Sequence, residues 1–434
     1  MTQRSNLVRA SLAAALSFTF SAQAMAASDP AAVAKRLTEL GIKDYNKNFT
    51  PEKVAKAYSI TFDGKKSKPF TDADCVLVGG LENLRSVTFI NTRVSKSCLE
   101  GIAQLPQLNV LTLAISEVDG AGLAALKPKD NLRDLTLSDV QGVTPAHLGV
   151  LKEFGASSLK LVLQNNRKKK SFGDDHVAAI GGAKAITELH ISVVPFSEKG
   201  GAAAGALPRL NTLKLFDTDS GDKALLPLLS SASGLKKLEF NDDKATTKVL
   251  PAIAAMQNLE DLKLEGNRIN GGFAAFKGHQ KLKRFAFQLK KVTPEDYAAL
   301  AHMPALRDVR VLFGPGFTDA HAEALSAATQ LTTVYTQQTK HLTDTGAMHL
   351  ARLTSLENLD FSRAPQVGDA TAKAIAGLPL KKLGMSYTGL TDKALMELVK
   401  MPTLQNLYVA KSQVTKDGIA KAKAAAANPK LRIR

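Results

Sequence analysis

The spacing L-x-x-L-x-L recurs along this chain, and a repeat of that kind restricts the fold more than composition does. It is met at "LTSLENLDFS", where Leu356, Leu359 and Phe361 fill the three places, and again at "MPTLQNLYVA", with Leu404, Leu407 and Val409. Fourteen anchors run from Leu84 to Leu404, 320 residues in 13 steps, so one unit takes about 24.6 residues. The second and third places are two residues apart, which puts both side chains on one face of a strand. Upstream, Ala347, Leu350 and Leu353 step by three toward Leu356, as do Leu395, Leu398 and Met401 before Leu404, and this spacing suits a short helix with one apolar stripe. Neither element buries its apolar face alone. Stacked on equivalent units they form one continuous core, and small rotations between units curve the stack.

Helix starts agree with this phase. Thr precedes Asp at Thr71-Asp72, Thr318-Asp319, Thr343-Asp344 and Thr391-Asp392, and Thr293 precedes Pro294 and Glu295. The Thr suits an N-cap and the acid suits the positive end of its helix, so these acids are expected to cap rather than catalyse. Eight residues after an anchor stand Thr92, Ser116, Asn166, Thr218, Asn267, Thr339, Thr388 and Ser412. Short side chains with an oxygen at that turn can bond backbone of their own and the adjacent coil, giving a polar ladder. The unit "LEDLKLEGNRI", residues 259 to 269, resembles the leucine-rich repeat pattern L-x-x-L-x-L-x-x-N-x-L. The chain resembles bacterial leucine-rich repeat proteins of the strand-and-helix, ribonuclease-inhibitor-like subclass. That resemblance implies an α/β fold, a right-handed horseshoe or arc with a parallel sheet on the concave face and helices on the convex face. It also implies binding of proteins or other macromolecules, and carries over no catalytic residue.

The ends suggest an exported protein. "MTQRSNLVR" is basic, "ASLAAALSFTFSA" is a short apolar run and "AQAMAA" supplies small residues, so residues 1–26 are expected to be a signal peptide; cleavage after Ala24, Ala26 or Ala27 fits, with Ala26 preferred for its A-x-A context. No cysteine follows that run, and no later stretch approaches the ~18 apolar residues of a membrane span. A periplasmic or secreted protein is therefore expected, with an N-terminal helical cap over residues 27–69. The repeat domain, residues 70–434, should end in a cap of its own at "KAKAAAANPKLRIR". The 57 Lys and Arg against 40 Asp and Glu give a formal charge of +17, which favours acidic partners in general. An exported protein meets little nucleic acid, and none is expected as a partner.

Single residues add less. Cys75 and Cys98 lie 23 residues apart, and export favours a disulfide between them; two buried free thiols are the alternative, because the residues do not occupy one repeat column. Arg167, Lys168, Lys169 and Lys170 form a basic loop, either a solvated turn or an anion-binding loop. On the concave face the middle column runs through Lys214, Glu239 and Lys263, with Lys237, Asp261, Arg284 and Asp308 alternating beside it, so lateral pairing is expected. Phe216, Lys263, Arg310, Tyr335 and Tyr408 are the candidate partner-binding residues, aromatics beside cations as in interaction hot spots. The eight histidines are dispersed, and no hydrolase, zinc-protease or phosphate-loop motif occurs. No enzyme activity, cofactor or metal is expected. The expected function is an exported binding scaffold recognising a protein or anionic envelope component. The rival readings are a structural envelope protein loosely bound to anionic polymer and a secreted effector acting on a host protein.

Overall fold

The computed structural model describes residues 28–44, 47–168 and 170–434, so the expected signal peptide, residues 1–26, and Lys169 lie outside the described residues. Sixteen strands form one open parallel sheet whose order follows the chain without a crossover. They are β1 Ser59–Asp63, β2 Ser86–Ile90, β3 Val110–Ala114, β4 Asp134–Ser138, β5 Leu159–Gln164, β6 Ile186–Ser192, β7 Thr212–Phe216 and β8 Lys237–Asn241. The second half comprises β9 Asp261–Gly266, β10 Arg284–Leu289, β11 Asp308–Val311, β12 Thr333–Thr336, β13 Asn358–Asp360, β14 Lys382–Gly384, β15 Asn406–Tyr408 and β16 Arg432–Ile433. Short α- or 3₁₀-helices connect successive strands on the other side. Sequential parallel strands with helical returns give an arc with a sheet on its concave face.

Register follows the repeat. Val87 pairs with Leu111, Leu111 with Leu135, and the column continues through Leu213, Leu238 and Leu262 to Leu359, Leu383 and Leu407. All of these are fully buried, so the inward leucines are shared between neighbouring units rather than owned by one. Ile60 and Phe62 of β1 pair with Val87 and Phe89, which brings the first strand into the same sheet. The weakest anchor, Ser158, is exposed; Leu159 fills the core at that point, and the register shifts where β5 meets β6.

Thr343 accepts the Thr345 amide of its own helix, Thr391 makes no such side-chain cap bond, and the acids of the Thr-Asp pairs reach the next unit. Asp319 accepts bonds from the amide (2.8 Å) and hydroxyl (2.6 Å) of Thr343 in the next unit, and Asp369 does the same for Thr391. Asp174 with Ser197, Asp222 with Thr246 and Asp392 with Thr415 repeat the arrangement. Each acid thereby satisfies the N-cap of the following coil, tying helix starts into a ladder. Gly346 and Gly418 make room for it: a Cβ on either would collide with the acid of the preceding unit, Asp319 or Asp392.

Turns after the strands follow the expected ladder only in part. Ser116 donates to the Ala114 carbonyl and accepts from the Thr92 amide, while Thr339, Thr388 and Ser412 donate to the carbonyls of Thr336, Met385 and Val409. In many units a residue with positive φ precedes this position, Gln338, Tyr387 and Lys411 among them. Asn166 and Asn267 do not take the buried place expected of them. Asn165 is buried instead and clamps Phe172 through both its amide and its carbonyl; Asn267 is exposed and donates to Asp243. In these units the inward place comes one residue earlier: Asn165 and, in a later unit, Asp242 go inward two places after the last buried strand residue rather than three.

Candidate functional site

Cys75 and Cys98 form a disulfide between helices Asp72–Gly79 and Lys96–Ile102, with Cα atoms 5.1 Å apart. The offset in repeat column, which left free thiols open as an alternative, is absorbed by the helices packing side by side.

Along the concave face the side chains divide into three zones. Over β1 to β4 the middle column is Thr61, Thr88, Thr112 and Thr136, a row of hydroxyls. From β4 to β11 the face is charged and paired within itself. Lys160 meets Asp134 at 2.7 Å, Glu239 meets Lys237 at 2.9 Å and Lys214 at 3.4 Å, and Arg284 lies between Asp261 and Asp308 at 3.5 and 3.9 Å. The lateral pairing read from the alternating signs is therefore present in part: Lys237 lies closer to Glu239 on its own strand than to Asp261, 3.9 Å away, and Lys263 turns to Glu265 on its own strand at 2.7 Å rather than to Glu239. Burial raises the pKa of Glu239, but the two lysines outweigh it and hold the carboxyl below its ordinary value. His190 accepts the opposite outcome. Burial lowers its pKa, and its hydrogen bond to Glu188 only partly offsets that.

From β11 to β15 the character changes to cations on aromatic faces. Arg310 is held by Asp308 through three contacts of 2.8 to 3.1 Å, and its guanidinium lies 4.6 Å from the centre of the Tyr335 ring. Lys382 places its ammonium 5.4 Å from the Tyr335 ring centre and 5.5 Å from that of Tyr408. Three of the five candidate partner-binding residues, Arg310, Tyr335 and Tyr408, thus share one patch. Phe216 ends β7, in the ion-paired zone, and Lys263 is engaged with Glu265, so neither joins it. Lys382 is the member that column-by-column reading missed: it stands beside the middle column, and only the lean of two tyrosines from different strands shows its place.

The basic loop is not a bare cluster of cations. Arg167 pairs with Asp217 at 2.7 Å, and Lys168 and Lys170 are exposed. Several histidines have structural duties: in His176 and His321, Nδ1 bonds the N-cap amide of its own helix, while Nε2 reaches a carbonyl of the preceding unit, Val143 or Val292. Among the described residues no group of three or more His, Cys, Asp or Glu could hold a metal ion, and no helix is long and apolar enough to cross a membrane.

Inward leucines in register, one strand and one helix per unit, and an open arc decide the architecture. The chain is a leucine-rich repeat solenoid. No protein-family model and no curated protein matches it. Among solved structures, this leucine-rich repeat chain is similar to an internalin from Listeria monocytogenes, at 15% identity and a TM-score of 0.41, covering 92% of each chain. It is also similar to a leucine-rich repeat protein from Leptospira interrogans, at 14% identity and a TM-score of 0.42, covering 88% of this chain and 97% of that one.

Proposed function

We propose that this leucine-rich repeat chain is an exported, non-enzymatic scaffold that binds a protein or an anionic envelope component through its concave face, in the periplasm or outside the cell. The observation that carries the reading is the patch of Arg310, Tyr335 and Tyr408, where half-buried aromatic rings and cations face the hollow of the arc. Such groups are the anchors that dominate interface energetics. The array holds them on β11, β12 and β15 of one sheet, so little ordering cost remains to be met on binding. The disulfide fits an oxidising compartment, as does the signal-like start of the chain. The basic loop of Arg167, Lys168, Lys169 and Lys170 is a secondary anion contact in this reading. No cofactor enters it.

The test is capture from envelope extract on the mature chain, beside a variant carrying Arg310→Glu, Tyr335→Ala and Tyr408→Ala. Wild type should retain a partner that the variant loses, and a shape-based contact should survive salt of ~0.5 M, where loose charge association is screened out. Recovery of the same material by both proteins overturns the concave-face reading.

A further inference from the structure

We infer that the rim of the arc carries a site for a neutral oligosaccharide, in the trough where the turns after β7 to β11 meet the concave face. It is separate from the patch of Arg310, Tyr335 and Tyr408 and does not depend on it. The trough is open space: a cavity of about 370 Å³ is lined by Asn241, Glu265 and Gln288 at the strand ends, by Asp243 and Asn267 on the turns and by Phe313 at one end. A neighbouring cavity of about 300 Å³ shares Asp217 and Asp243 with it and reaches Arg167 of the basic loop, so the two run on along the rim. Each is of the size that takes a small ligand, roughly 300 to 1,000 Å³.

Charge in the trough selects neither sign. Asp217 is held by Arg167 at 2.7 Å and Glu265 by Lys263 at 2.7 Å, while Asp243 and Lys290 of the lining balance each other. What remains is hydrogen-bonding capacity. Asn241, Glu265 and Gln288 stand in register on adjacent strands, ~4.8 Å apart. Asn241 donates to Glu265 (3.3 Å) and Asn267 to Asp243 (2.6 Å), which orients both amides and leaves their carbonyl oxygens to accept. The Gln288 amide group is exposed and has no protein partner among the described residues. A hydroxyl donates once and accepts twice, so a sugar ring, with a hydroxyl on most of its carbons, answers a row of amides and carboxylates throughout. An extended peptide turns its N–H and C=O groups alternately to opposite sides and meets the same row with half of them.

The end of the trough supplies the apolar half of the match. Phe313 is 43% exposed, the one phenylalanine so placed among the described residues. Gly314 sets it there. That glycine is buried where a Cβ would meet Val311 Cγ1 at 2.7 Å, so the loop turns down onto the strand end and leaves Phe313 outside. Arg310 and Lys382 already lie on the rings of Tyr335 and Tyr408, whereas no Arg or Lys lies over Phe313 among the described residues. The C–H face of a sugar, slightly positive, stacks on the negative face of such a ring.

The test is a printed array of neutral gluco-, manno- and chito-oligosaccharides, anionic heparin fragments and cationic chitosan fragments, with a random dodecapeptide phage library panned in parallel. Neutral members should be retained. Calorimetric titration with the best of them should show about tenfold weaker binding for Phe313→Ala and for Gln288→Ala, and near wild-type binding for Phe313→Tyr. Met348→Ala, at an exposed apolar residue on the helical side, should change nothing. Melting curves establish that each variant is folded. Failure of every neutral member to bind at millimolar concentration, retention of heparin or chitosan fragments alone, enrichment of peptides with no sugar bound, or equal affinity for Phe313→Ala each overturns the proposal. If sugar binding is lost in the variant carrying Arg310→Glu, Tyr335→Ala and Tyr408→Ala but not in Phe313→Ala, the rim site falls and the concave-face reading stands.

Discussion

At the scale of single residues, Asp392 shows how one unit depends on the next. Its carboxylate accepts the hydroxyl of Thr415 at 2.6 Å and the amide at 2.8 Å, and those two bonds hold its pKa below the ordinary value. A carboxyl depressed in the folded state stabilises fully above its unfolded pKa of about 3.9, and that contribution is lost as pH falls through the lower folded value. Asp392→Asn should therefore lower the Tm near neutral pH, with the gap to wild type closing as pH falls below about 4. Thermal melts from pH 7 to pH 2 measure this, and a gap constant across the range would contradict it. The residue type was legible in the sequence, since Thr-Asp announces a helix start. Its partner was not. Thr415 lies 23 residues on, and only stacking of the units brings it to Asp392. The same holds for Gly346, an unremarkable helix glycine until the preceding unit's Asp319 is seen against it.

At the scale of elements, strands and helices were legible and turns were not. Inward leucines impose a period that survives many substitutions, so all the anchored strands fall where the spacing puts them. A turn obeys local conformation, and a shift of the inward place by one residue buries Asn165 and leaves Asn267 in solvent without disturbing the leucine columns. The disulfide was half legible: spacing and compartment allowed it, but the side-by-side packing of two outer helices decides it. Its energetic weight can be stated. Closing a loop of 23 residues restricts the unfolded chain by about 3 kcal/mol. Cys75→Ala with Cys98→Ala should therefore lower stability by up to that amount. In hydrogen exchange the loss should concentrate in β1 to β3, the strands packed beneath those helices. Equal melting of the oxidised protein and the double variant, or a loss of protection spread evenly over the sheet, would refute the assignment.

At the scale of the whole molecule, the concave face has a polarity along the arc that no single column of the sequence reveals. Hydroxyls, ion pairs and aromatic-bound cations succeed one another because neighbouring columns combine, as Lys382 does with Tyr335 and Tyr408. The core has its own uneven point. Phe285 touches Phe273 at 4.8 Å, Phe287 at 5.1 Å and Phe276 at 5.5 Å between ring centres, and the cluster runs on through Tyr297 to Phe317. These rings join successive units near the middle of the array. In a solenoid each unit contacts only its neighbours, so cooperativity between the two halves passes through whatever lies between them. Phe285→Ala should remove about 3 to 5 kcal/mol from that junction and leave the other interfaces intact. Wild type should lose both halves of the sheet in one urea transition. The variant should unfold in two, with β11 to β16 exchanging first, because the half before the break keeps the disulfide. Hydrogen exchange read segment by segment across the titration separates the cases. One coincident transition in the variant, merely shifted to lower urea, would mean that the coupling runs through the sheet as a whole and not through this aromatic junction.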